Sequence, residues 1–139
     1  MCVKLFSSLK NDIDKEVYYF YAIHGWVLCE GKMRRVYHLI RQMGVTSKYK
    51  GYYFVADAVM LSMEESDYPL KITKDVYPPL ARKYKSTPNN IEHDIRTVVN
   101  VCWLENKDKM DLIAGHSLDY KPTNSEFVDM LAYYLSTEK

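Results

Sequence analysis

Cysteine is scarce in this sequence. Cys2, Cys29 and Cys102 are an odd number, with no Cys-x-x-Cys pair and no cysteine–histidine ligand spacing. A disulfide framework or a structural zinc site is therefore excluded as the organising device, and the three read as reduced thiols. Glycine and proline are also few, five of each, so no flexible or low-complexity linker is visible. No run of about 18 apolar residues occurs, so no membrane span and no membrane partner are expected. The N-terminus, MCVKLFSSLKNDIDKE, turns acidic too early for a secretory signal. An excess of one charge is missing too. The 19 Lys+Arg against 18 Asp+Glu leave a formal net charge of +1, which rules out a uniformly basic coat or an acidic tail. What remains is a cytoplasmic, globular chain. Its 139 residues, 47% of them hydrophobic, suit one domain that buries its own core. The 13 tyrosines are unusual, and their number fits a core, a partner surface or a nucleic-acid surface equally.

The near-zero total hides an alternation. Residues 32–50 carry Lys32, Arg34, Arg35, Arg41, Lys48 and Lys50 with no acid, and residues 51–70 carry Asp57, Glu64, Glu65 and Asp67 with no base. Residues 71–85 turn basic again through Lys71, Lys74, Arg82, Lys83 and Lys85 against Asp75 alone. Two basic stretches that meet in space would suit phosphates. Apart, they are solvated helix faces.

Periodicity predicts helices throughout, and an all-α, multi-helix fold. Val36, Leu39, Ile40 and Met43 share one helix face, and Gly44 supplies a stop. Residues 52–63 read as a helix with Val55, Ala58, Val59 and Ser62 on one stripe. A helix starting at Pro78-Pro79 runs to about Lys85. Ser86-Thr87-Pro88-Asn89 then opens another, from about Asn89 to Leu104. Its apolar side holds Ile91, Ile95, Val98, Val99 and Cys102, and its outer side Asn89, His93, Arg96 and Asn100. A short helix over 108–114 ends at Gly115. Thr123-Asn124-Ser125-Glu126 is a capping box for a final helix with Phe127, Met130, Leu131 and Tyr134 inward. Residues 1–31 carry Leu5, Leu9, Ile13, Val17 and Tyr21 at a four-residue spacing, which predicts a long amphipathic helix, although VYYFYAI is rich in strand formers.

Residues 78–104 thus have the grammar of a helix-turn-helix: a basic first helix, a polar turn, and a second helix with a polar outer face. By spacing alone this is weak, since most helical hairpins bind no DNA. The specific signal is a resemblance. The segment ITKDVYPPLARKYKSTPNNIEHDIRTVVNVCWL (72–104) resembles the helix-turn-helix of the C-terminal effector domain of the sporulation master regulator, the stage-zero sporulation protein A family. LIRQMGVTSKYKGYYFVADAVML (39–61) and KPTNSEFVDMLAYYL (121–135) are similar to the segments before and after it. KGY at 50–52, YP at 77–78, TP at 87–88, Trp103 and PTNSEF at 122–127 keep the family's order and spacing. The likeness covers residues 35–139 and leaves 1–34 as an N-terminal extension, a segment for dimerisation or docking that is too short for the family's phosphoacceptor receiver.

That resemblance implies a sequence-specific DNA-binding transcriptional regulator without a receiver, taking double-stranded DNA at a promoter box. Binding in tandem or as a homodimer, and contact with RNA polymerase, are further partners it suggests. Asn90, Glu92, His93 and Arg96 would read bases, and Lys48, Lys50, Arg82, Lys83, Lys85 and Asn89 would hold phosphates. Where the family usually carries arginines, this chain has Asn90 and His93, and Asp94 is an added acid. Asn suits adenine and Glu accepts from cytosine, whereas Arg is the best guanine reader, so the preference has shifted or the affinity has dropped. The alternative function is a protein-interaction module of the same fold that modulates the full-length regulator or RNA polymerase. Glu92 and Arg96 stand at i and i+4, so Arg96 either contacts a base or phosphate or simply pairs with Glu92. Trp103 reads as core. Tyr52 and Tyr53 read as core or as a hydroxyl beside DNA. No enzyme, catalytic residue, metal site or cofactor is expected: His24, His38, His93 and His116 lack ligand spacing, and Cys29 with His24 lacks a third orienting group.

Overall fold

The computed structural model describes residues 31–64 and 71–137, all-helical apart from turns and loops. The amphipathic segment expected upstream, Cys2, Cys29, His24, Glu65 and Asp67 lie outside the described residues. Helix α1 covers residues 31–42 and so runs across the expected boundary at 34/35. It buries Val36, Leu39 and Ile40, with Met43 just beyond. Gly44 ends it at φ +89°, donating its N–H to Arg41 O (3.0 Å) while Val45 donates to Ile40 O (3.4 Å). That paired arrangement closes a helix whose next residue is left-handed.

Helix α2 (Gly51–Glu64) is the axis of the fold. The expected single stripe is wrong for it. Tyr52 and every residue from Phe54 to Met60 are buried, while Ser62 is only partly covered. The reason is position, because α2 packs most extensively on two of the later helices at once and a helix covered on several sides has no polar face to show. A five-residue π-helical turn, Ile72–Val76, precedes α3 (Tyr77–Lys83), and no pattern in the sequence announces it. Pro78 and Pro79 sit in the first turn of α3, where a missing N–H costs nothing. The helix ends at Lys83 and not at Lys85, because Lys85 turns left-handed at φ +53°.

Helix α4 (Pro88–Glu105) buries Ile91, Ile95, Val98, Val99 and Cys102, the face expected. Burial pushes the Cys102 thiol up to about 12, with the Glu105 charge adding to it, so that sulfur stays protonated and inert. Trp103 is only partly buried, with the Lys107 ammonium 5.2 Å from its ring centre. Helix α5 (Lys107–Ala114) ends on left-handed Gly115. Helix α6 (Asn124–Thr137) opens with the capping box realised in both directions: Glu126 N–H donates to Thr123 Oγ1 (3.2 Å) and Thr123 N–H to Glu126 Oε1 (3.3 Å). Its inner stripe is Phe127, Val128, Leu131, Ala132 and Leu135; Met130 and Tyr134 lie at its margin.

Two close approaches set how the helices meet. Gly51 lies against α4 so tightly that an added Cβ would fall 2.3 Å from Asp94 O and 2.6 Å from Val98 Cγ2. Asn106, between α4 and α5, donates from Nδ2 to Met43 O (2.5 Å), tying the end of α4 to the end of α1.

Candidate nucleic-acid interface

Residues 84–87 join α3 to α4, and each of their backbone conformations has a local cause. Lys85 N–H donates to Arg82 O (3.4 Å) and Ser86 N–H to Ala81 O (2.8 Å), the same closure seen at Gly44. Thr87 then takes an extended conformation and caps α4, its Oγ1 accepting from Asn90 N–H (3.2 Å). Pro88 occupies the first helical turn. The helix start is therefore satisfied by Thr87, and the Asn90 side chain is not used for capping.

On the outer side of α4, Asn89, Asn90, His93 and Arg96 are exposed and Glu92 is partly so. Two of the five residues hold the third. The Arg96 guanidinium stands 3.6 Å from Glu92 Oε2 and 3.3 Å from His93 Nδ1. A guanidinium has no acceptor, so His93 receives that bond at Nδ1 and carries its proton at Nε2. The Asp94 carbonyl lies against Gly51 at the seam with α2, and the residue is partly covered. The strip is short of positive charge, its one guanidinium, Arg96, being set against the Glu92 carboxylate.

The cations stand around it unequally. Arg82 and Lys85 are exposed on the last turn of α3 and the turn after it. Lys48 and Lys50 are exposed ahead of α2, and Lys50 adjoins the glycine that touches α4. Arg41, from the same basic run, is committed elsewhere: its Nε donates to Tyr52 Oη (2.9 Å) and its guanidinium lies 5.3 Å from that ring centre. Tyr52 is buried and Tyr53 is 41% exposed, the two rings packing edge to face with each other. Lys83 is also committed, its Nζ 2.8 Å from Asp57 Oδ2.

Two residues beside this surface escaped sequence reasoning. Lys121 Nζ donates to Asn100 Oδ1 (2.5 Å), bringing a cation to the outer side of α4 from the loop before α6. Asn124 Nδ2 donates both to Tyr77 Oη (3.0 Å) and to Glu92 O (3.0 Å), so one amide pins the start of α6 to α3 and α4 together. Burial raises the Tyr77 hydroxyl above its ordinary range, which keeps its proton in place. Both residues sit inside KPTNSEF, so the motif was visible although its contacts were not.

A short basic helix, a turn and a long helix with a polar outer side, set in an all-α frame, define a helix-turn-helix domain. The family model of the sporulation initiation factor Spo0A C terminal matches residues 36–135, and the chain belongs to that family. Its members are DNA-binding effector domains of a sporulation regulator, a transcription-factor family and not an enzyme family. Among the described residues no cluster of His, Cys, Asp or Glu is placed to hold a metal, and no helix is long and apolar enough to cross a membrane.

Proposed function

We propose that the chain is a sequence-specific DNA-binding transcriptional regulator that lays α4 in the major groove of a promoter box. The observation that carries this reading is the exposed strip of Asn89, Asn90, His93 and Arg96, which begins at the N-terminus of α4, together with exposed Arg82 and Lys85 just before it in the chain and exposed Lys48 and Lys50 just before α2. Recognition helices present their N-terminal residues to base edges while neighbouring cations hold the backbone. Asn90 is suited to adenine, Glu92 to the cytosine amino group, and Arg96 to guanine. His93 reads a base or steers Arg96. Arg82, Lys85, Lys48, Lys50 and Asn89 take phosphates. With little charge on the reading strip itself, affinity comes from the rim and discrimination from the strip. Adjacent copies on DNA would enlarge the footprint.

A second reading draws on the same strip. Glu92 and Asp94 are acidic, and Arg96 is already paired. Such a face also suits a protein partner, either the full-length regulator or RNA polymerase.

Fluorescence anisotropy with the family's promoter box and a scrambled duplex, across a salt series, separates the two. The expected result is a preference for the box by roughly 10³-fold or more. Replacing both Asn90→Arg and His93→Arg should tighten binding and steepen the salt slope by about 0.9 for each added phosphate contact. Equal, weak binding to both duplexes that disappears with salt, and no gain from the arginines, would discard DNA reading in favour of the protein partner.

A further inference from the structure

Asp57 is the buried charged residue of the described core, 1% exposed, in the middle of α2 between fully buried Val55, Ala56, Ala58 and Val59. A carboxylate stripped of water there needs partners of opposite charge or strong donors. It has two, and both come from the helix-turn-helix. Lys83 Nζ (2.8 Å) and Tyr84 Oη (2.6 Å) converge on the same oxygen, Oδ2. Lys83 closes α3 and Tyr84 opens the turn, so the carboxylate grips the place where the chain bends toward α4. The cluster sits at the edge of the core, the Lys83 side chain 51% exposed beside the buried carboxylate. The Tyr84 ring packs edge-on to Phe54, ring centres 4.9 Å apart, and the Lys83 ammonium lies 5.2 Å from the Tyr84 ring centre. Burial, and then the Asp57 charge, raise the Tyr84 hydroxyl far above its ordinary range, so it stays a donor.

We propose that Asp57 is a positioning residue for the helix-turn-helix and that it withdraws Lys83 from DNA. Lys83 stands in a basic run, Arg82, Lys83, Lys85, that reads as three phosphate contacts. Only two are available. If Lys83 turned to a phosphate at the screened surface, Asp57 would be left buried with one hydroxyl for company, and a salt-screened contact does not offset that loss. Together, Asp57 and Lys83 present no net charge to DNA.

The inference rests on the DNA-reading function proposed above, and its test counts phosphates. The slope of log K against log[salt] changes by about 0.9 for each phosphate a cation neutralises. Measured on the full chain with the promoter-box duplex, Lys85→Met and Arg82→Met should each flatten the slope by about that amount. The double variant Asp57→Asn, Lys83→Met removes the pair without changing net charge and should keep the wild-type slope. Asp57→Asn alone frees the ammonium and should steepen the slope by about 0.9. A double variant whose slope flattens as much as that of Lys85→Met overturns the inference. If variants carrying Asp57→Asn do not fold, Lys83→Met alone decides: a flattening smaller than that of Lys85→Met supports the inference and an equal one overturns it. If the wild-type chain binds no duplex, the DNA reading fails and urea melts judge the latch by itself. The midpoint shift of the double variant must then be smaller than the two single shifts combined, and additive shifts overturn it.

Discussion

Lys85 sits where the backbone asks for glycine. Its φ of +53° places a side chain in the left-handed region, at a cost of about 1 kcal/mol for a residue with a Cβ. Gly44 and Gly115 occupy the same region without that penalty. What Lys85 supplies there in place of glycine is an exposed cation in the turn before α4. Two quantities should therefore move in opposite directions in Lys85→Gly. Relief of the strained φ is partly cancelled by the greater freedom of glycine in the unfolded chain, which leaves a net gain of about 0.5 kcal/mol. The urea midpoint should rise slightly, while the salt slope of DNA binding flattens by about 0.9. A lower midpoint would mean that the Lys85 stem packs in the folded state, and an unchanged slope would remove it from the phosphate set.

At the scale of elements, α4 is held by what lies behind it. Gly51 at the start of α2 touches the backbone of α4 at Asp94, and Asn124 at the start of α6 holds the carbonyl of Glu92. In Gly51→Ala the new methyl would meet a carbonyl oxygen at 2.3 Å, and backbone cannot swing aside as a flexible side chain does. Alanine gains little helix propensity at a first helical residue, so the clash decides, at about 1–3 kcal/mol. The urea midpoint should drop with the slope m unchanged, and discrimination between promoter box and scrambled duplex should weaken because α4 is displaced. A variant as stable as the parent would show that the contact is not close-packed. These same contacts mark where sequence reasoning reached its limit. The buried face of α4 and the capping box of α6 were legible because their signals repeat every three or four residues within one element. The burial of α2 on several sides was not, since it depends on neighbours far away in sequence. Nor was the commitment of Lys83, whose partner is 26 residues upstream. Spacing along α4 brought Asn89, His93 and Arg96 to one face, but no spacing rule separates Arg82 and Lys85 from a neighbouring lysine already held by a buried acid.

For the whole molecule, the buried residues described run from Val36 to Leu135, and the family match runs from residue 36 to residue 135. Helix α2 stands at the centre of that span, and the end of α1 is tied to the end of α4 through Met43 O and the Asn106 amide. The proposed division into an N-terminal extension and a domain over residues 35–139 requires that domain to fold by itself. The fragment 31–139, which keeps every described residue of α1, should therefore unfold in urea as one cooperative transition, with a stability of about 5 kcal/mol or more. It should bind the promoter-box duplex with the salt slope of the full chain, because the proposed phosphate contacts all lie within it. If the N-terminal segment pairs two copies, the full chain should bind a duplex carrying two boxes at lower protein concentration than the fragment, while the two remain equal on a single box. A fragment with no sigmoidal transition would place part of the core outside residues 31–139 and retire the division between extension and domain. A folded fragment that loses its grip on a single box would move DNA binding into the segment ahead of α1.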